Sequence, residues 1–203
     1  NSVDNLKAKP FAGSTNTVDE ELKNQIGVIG ENINIRRVDN VSVQNGLVVS
    51  YVHNAVAPNL GKIAVLIALE SSGDKDKLEE FGKQIAMHIA AAKPDALTVE
   101  SVDPSKLNRE IEILKEQARA SGKPENIIEK MMEGRVRKYY EEIVLLEQNF
   151  VMDDKVKIKD LLKNFGKEIG TEVNISNFKL FILGEGIEKK ENDFAAEVAS
   201  MTK

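Results

Sequence analysis

Four Gly-Lys pairs, beginning at Gly61, Gly82, Gly122 and Gly166, are the first places to look for phosphate chemistry. A phosphate loop needs an earlier glycine and a following Ser or Thr, so that backbone amides and a hydroxyl face the phosphates and their metal. None of the four has them. Gly184-Glu185-Gly186 follows a run of β-formers but lacks the third glycine of a dinucleotide fingerprint. His53 and His88 lie far apart and in no HExxH-like spacing, so neither a metal centre nor a cofactor is expected. His88, between Met87 and Ile89, reads as a histidine satisfied at the edge of a core. His53, ending a strand beside a loop, reads as a surface contact. The carboxylates are numerous but scattered, and no pair stands out as an acid/base couple. With no cysteine in the chain, disulfides, thiolate catalysis and zinc-sulfur sites are excluded. From its residues alone the chain reads as an interaction module, not an enzyme.

Composition agrees. Of 203 residues, 30% are charged, yet the net charge is only −5, which makes no electrostatic case for nucleic acid or an anionic membrane. No apolar run approaches the roughly 18 residues of a membrane span. The chain starts at Asn1 without a charged-then-apolar leader, so the expectation is a piece of a longer protein in a cytoplasmic setting.

The elements that must position such an interaction surface are organised around residues 75–94. Leu78, Phe81, Ile85, Ile89 and Ala92 recur at steps of three and four, the apolar stripe of an amphipathic helix. Residues 47–53, 62–70 and 177–183 are rich in β-formers, and a three-stranded sheet covered by this helix buries all four. Residues 30–38 alternate Ile33 and Ile35 with Asn32, Asn34 and Arg36, which predicts a further half-buried strand with Arg36-Arg37 on a solvated edge. Residues 1–18 read as a linker, 18–28 as a short helix and 156–165 as a helix. Gly-Glu-Asn-Ile-Asn-Ile at 30–35 and Gly-Thr-Glu-Val-Asn-Ile at 170–175 echo one another and suggest two subdomains of similar build.

Between the sheet segments lies an insertion. Asp103-Pro104 starts a helix with Leu107, Ile111, Leu114 and Ala118 at heptad-like spacing, and Lys123-Pro124 turns the chain. A second helix repeats the pattern with Ile128, Met132, Val136, Tyr139 and Ile143. This predicts an antiparallel helical hairpin with apolar surface left for a partner. After it, Phe150, Val151 and Met152 stand side by side in a polar loop, and either plug back into the core or await a partner. The tail from Asn192 puts Phe194, Val198 and Met201 on one helical stripe that must dock on something.

Taken together, Gly-Glu-Asn-Ile-Asn-Ile-Arg-Arg-Val at 30–38, Lys-Gln-Ile-Ala-Met-His-Ile-Ala-Ala-Ala-Lys-Pro at 83–94, the long run at 121–154 and the Gly-Glu-Gly-Ile-Glu-Lys-Lys run at 184–201 resemble elongation factor Ts, bacterial or organellar. That family exchanges guanine nucleotide on elongation factor Tu. The resemblance covers residue 26 to the C-terminus.

What it implies is an α+β fold of small antiparallel sheets covered by helices, with an inserted coiled-coil hairpin and a C-terminal helix. Residues 1–46 would be the remainder of an N-terminal core subdomain with a disordered or linker start. Residues 47–96 and 146–186 would be the C-terminal core subdomain, 97–145 the hairpin, and 187–203 a C-terminal helical module. The resemblance further implies that His53, Val151, Met152, Phe194 and Met201 face elongation factor Tu, which moves Val151 from core plug to partner contact. Phe194 and Met152 keep a packing role as the alternative. The hairpin implies a possible homodimer or partner contact, and no direct nucleic acid or membrane partner is implied. Family members carry a small three-helix domain and then a Thr-Asp-Phe-Val motif whose Asp-Phe loosens the nucleotide. That motif occurs nowhere in these 203 residues, and Asn192-Asp193-Phe194 is a different position. The expectation is therefore a C-terminal core portion, with a dimerising or docking fragment that binds without exchange as the alternative.

Overall fold

The computed structural model describes residues 2–187. In chain order its elements are α1 (Val3–Lys7), α2 (Val18–Ile29), β1 (Gly46–His53), β2 (Ile63–Glu70), α3 (Lys75–Ala92), α4 (Pro104–Ala120), α5 (Glu125–Ile143), β3 (Asn149–Phe150), β4 (Asp153–Lys157), α6 (Ile158–Ile169) and β5 (Asn174–Ile182). The fold is α+β, as expected. β1, β2 and β5 form an antiparallel sheet in the order β1-β2-β5, and β3 and β4 form a separate two-stranded ribbon.

The sheet and α3 make the core. Val49 pairs with Ile67 and Ile67 with Phe178, and Val65, Ile67 and Leu69 of the central strand are buried under Leu78, Phe81, Ile85 and Ile89 of α3. Of the stripe read from the sequence, Leu78, Phe81, Ile85 and Ile89 are buried, while Ala92 at the helix end is only half-buried. Asp74 caps α3 by accepting from the Lys77 amide at 3.0 Å. Gly82 lets the helix sit close to the sheet, since a Cβ there would lie 2.6 Å from Val49 Cγ2. α6 closes the same core through Leu162 and Ile158, and Phe165 stacks on Phe81 with ring centroids 4.0 Å apart.

The hairpin leaves and re-enters the core side by side. Asp95 donates to the Ile143 carbonyl and Leu145 to that of Ala96, both at 2.8 Å, which stitches the base of α4 and α5 together. Ala118, Ile128 and Met132 are buried in the seam, while Ile113 and Ile127 stay exposed. At the far turn Arg119 forks onto Glu125, with Nη2 at 2.8 Å from one carboxylate oxygen.

Three expectations need correction. Residues 30–38 form no strand. Their alternation defines two faces but supplies no partner edge, and the segment is held instead by side chains, with Asp39 paired to Lys179 at 2.7 Å. The stretch read as a linker contains α1, capped where the Ser2 hydroxyl accepts from the Asn5 amide, and leads into a Thr17–Glu20 capping box on α2. The helix expected from residue 156 begins at Ile158, because Lys157 is still paired with Asn149 in the β3-β4 ribbon.

Candidate functional site

His53 closes β1. It pairs with Ile63, and Ile63 with Ile182, so one cross-strand row ends β1, begins β2 and ends β5. His53 shares its sheet face with buried Val49 and with Tyr51, which packs on the core. The Tyr51 hydroxyl lies 2.9 Å from His53 Nδ1. That contact fixes the exposed imidazole and leaves Nε2 for a partner.

The second feature comes to the same end of the sheet. α3 follows β2 through residues 71–74 and runs back over the strands, crossing Val49 at Gly82. His88, six residues later, is therefore about 9 Å further toward the His53 row. Against His88 sits the β3-β4 ribbon: the Val151 amide donates to His88 Nδ1 at 3.3 Å, and the Phe150 ring lies 6.0 Å from the imidazole.

The run of three apolar residues thus divides. Phe150 is 6% exposed and plugs the core, whereas Val151 and Met152, at 51% and 55%, form the exposed turn of the ribbon. Phe194 and Met201 lie outside the described residues.

Sequence reasoning missed other apolar residues at this end. Val56 and Leu60 bracket the Pro58-Asn59 turn of the β1-β2 loop and are largely exposed, as is Leu183, whose amide donates to the Lys62 carbonyl at 2.8 Å just past β5. The available signal was two large apolar side chains flanking a turn where polar residues are usual.

Electrostatics hold the ribbon from behind. Lys159 Nζ donates to both oxygens of Glu147 at 2.7 and 2.9 Å and, with Lys157, keeps that carboxyl below the ordinary carboxylate range against the opposing effect of burial. Lys157 also donates to Glu141 at 3.0 Å, which raises its own pKa. Burial pushes the His88 imidazole below its ordinary value, and the Gln148 hydrogen bond only partly opposes this. Among the described residues no cluster of three or more His, Cys, Asp or Glu side chains could hold a metal ion, and no helix is long and apolar enough to cross a membrane. What the arrangement offers is an exposed, partly apolar end of a sheet, with no group placed for covalent chemistry among the described residues.

A family model described as "Elongation factor TS" matches residues 1–185. The chain is 60% identical over 199 residues to "Elongation factor Ts" of Rhodospirillum centenum, covering 98% of this chain and 65% of that protein. Against the proteins of the same name from Bartonella bacilliformis and Paramagnetospirillum magneticum it is 54% identical, over 202 and 198 residues, covering 100% and 98% of this chain. It spans 66% and 64% of those two, so it is shorter than two thirds of these relatives. The family match over residues 1–185 takes in the sheet, ribbon and hairpin, and with relatives this similar the chain belongs to the elongation factor Ts family.

Proposed function

We propose that this chain docks on elongation factor Tu through the end of the sheet that carries His53 and the Val151-Met152 turn, and that it promotes release of GDP. What supports the reading is a pair of adjacent exposed apolar residues on a turn bonded to His88, together with an exposed histidine at the end of β1 toward which α3 runs. Fully burying a Val or Met side chain contributes about 1.5–3 kcal/mol, so the turn can supply binding energy out of proportion to its size. In the same reading Phe194 and Met201, within residues 187–203, also engage the partner. The 97–145 hairpin serves as a second contact, either with the partner or with another copy of the chain. The setting is that of translation, the cytoplasm.

No covalent chemistry is required. A factor that binds nucleotide-free partner more tightly than nucleotide-bound partner weakens the nucleotide by the same factor, about 1.4 kcal/mol per tenfold. The residues named above supply the binding free energy, and the nucleotide loses it. A second reading, docking without exchange, is favoured by the absence of a Thr-Asp-Phe-Val motif from these 203 residues.

The two readings separate in a pair of measurements: stopped-flow release of fluorescent GDP from elongation factor Tu, with and without the chain in excess, and a pull-down of elongation factor Tu by the chain. Acceleration supports exchange. Binding without acceleration supports docking alone, and absence of both rejects the proposal.

A further inference from the structure

We propose that His88 is a positioning residue for the docking turn, holding Val151 and Met152 outward through the Val151 amide. The inference rests on the reading that this turn docks.

His88 is fully buried on the core face of α3, among Ile85, Ala86 and Ile89. An aliphatic side chain would be cheaper there, because a buried imidazole costs stability unless its nitrogens are bonded. Both are. Nδ1 accepts from the Val151 amide at 3.3 Å, and Nε2 lies 2.9 Å from Gln148 Oε1. A backbone N–H can only donate, so Nδ1 carries the lone pair and Nε2 the proton, which it donates to the Gln148 oxygen.

Gln148, itself buried, is held on its other side. Its Nε2 donates to the Glu142 carbonyl of α5 at 2.6 Å, its amide to the Val144 carbonyl at 3.0 Å, and its carbonyl accepts from Ile158 at 3.0 Å. The chain of contacts runs from α5 through Gln148 and His88 to the turn. Among the described residues no buried side-chain nitrogen or oxygen lacks a partner.

The ribbon needs this support. β3 and β4 pair at only two positions, Asn149 with Lys157 and Phe150 with Asp153, with a register shift between them. A ribbon that short does not hold its own shape in water. Phe150 anchors one side by packing toward the imidazole, and the Val151 amide, turned inward to Nδ1, leaves its side chain and that of Met152 facing out. The same histidine thus sets which of the three apolar residues is buried and which two are presented.

The test uses the whole chain and three variants. His88→Asn keeps an acceptor near the place of Nδ1 and gives up Gln148. His88→Gln reaches Gln148 but withdraws the acceptor from Val151, and His88→Leu removes both. Two quantities are read: hydrogen exchange of the Val151 amide, and affinity for nucleotide-free elongation factor Tu, each on samples whose circular dichroism matches wild type. The expected result is that His88→Asn keeps Val151 protected and binds within about threefold of wild type. His88→Gln and His88→Leu lose that protection and bind about tenfold more weakly, the effect of one lost buried hydrogen bond. Wild-type affinity in His88→Gln with its Val151 amide unprotected overturns the proposal. If the variants do not fold, the wild-type imidazole decides: long-range nitrogen–proton spectra must show the proton on Nε2 and slow Val151 exchange, and a proton on Nδ1 overturns it. If wild type itself does not bind, the docking reading fails, and amide protection across the variants still judges whether His88 holds the turn.

Discussion

Arg37 and Glu185, 148 positions apart, meet at 2.7 Å between Nη2 and Oε2 in the turn that follows β5. Arg36 donates to the Glu185 carbonyl at 2.6 Å, and the Arg37 guanidinium also lies 4.8 Å over the Phe181 ring. The arginine pair is therefore a clasp between the irregular segment after α2 and the end of the sheet. Both partners of the ion pair are 46% exposed, so solvent screens most of its attraction. Arg37→Ala is expected to lose about 1 kcal/mol or less by urea unfolding, from ion pair and ring contact together. Molar salt should shrink the difference without abolishing it, because the ring contact survives.

Gly82 and Gly134 both lie inside helices, and replacing each with alanine should have opposite effects. Alanine gains up to about 1 kcal/mol of helix propensity at either site. At Gly134 a Cβ meets nothing within 4 Å, so Gly134→Ala should raise stability by about 0.5–1 kcal/mol. At Gly82 it meets Val49 Cγ2 at 2.6 Å and Leu69 Cδ1 at 3.0 Å, which forces α3 off the sheet. Overpacking of that kind costs about 1–3 kcal/mol and outweighs the propensity, so Gly82→Ala should lower the melting temperature.

The buried imidazole of His88 makes stability depend on pH in a defined window. Burial pushes its pKa below the ordinary 6.5, so the unfolded chain takes up the proton first as pH falls. Its contribution is complete above about pH 6.5 and is lost progressively as pH drops through the folded value, with a slope of at most about 1.4 kcal/mol per pH unit. The carboxylates held low by their partners, Glu147, Asp39 and Asp19 among them, titrate only at lower pH. Urea unfolding between pH 7 and 5 should show the slope in wild type and a smaller one in His88→Asn. Equal slopes would mean that His88 does not titrate as its burial requires.

Much of the fold could be read from local pattern. The α3 stripe from Leu78 to Ile89 buries as its spacing demands, and Asp103-Pro104 starts α4 with the Asp103 carboxylate accepting from the Ser105 amide at 2.8 Å. Pattern failed where long-range partners decide. Ile33 and Ile35 alternate as a strand would, but no edge receives them, and the pairing of Arg36 and Arg37 with Glu185 has no local signature. The candidate site shows the same division. His53 at a strand end and the apolar run at Phe150 could be picked out, but which of the three apolar residues faces out depends on His88 and Gln148, 60 positions apart and joined only in the fold. The Thr17-x-x-Glu20 capping box has a local signature, but it lies among residues rich in loop formers that mask it.

The most direct measurement is the affinity of the chain for nucleotide-free elongation factor Tu, by titration calorimetry, for wild type and for Val151→Ala, Met152→Ala and His53→Ala. Val151 and Met152 are exposed, so their truncation should change folding stability by no more than about 0.5 kcal/mol. If the end of the sheet is the docking surface, at least one of the two should weaken binding by about 2 kcal/mol, close to thirtyfold, and His53→Ala should weaken it as well. Wild-type affinity in all three variants, with stability unchanged, would contradict the account and return this face to plain protein surface.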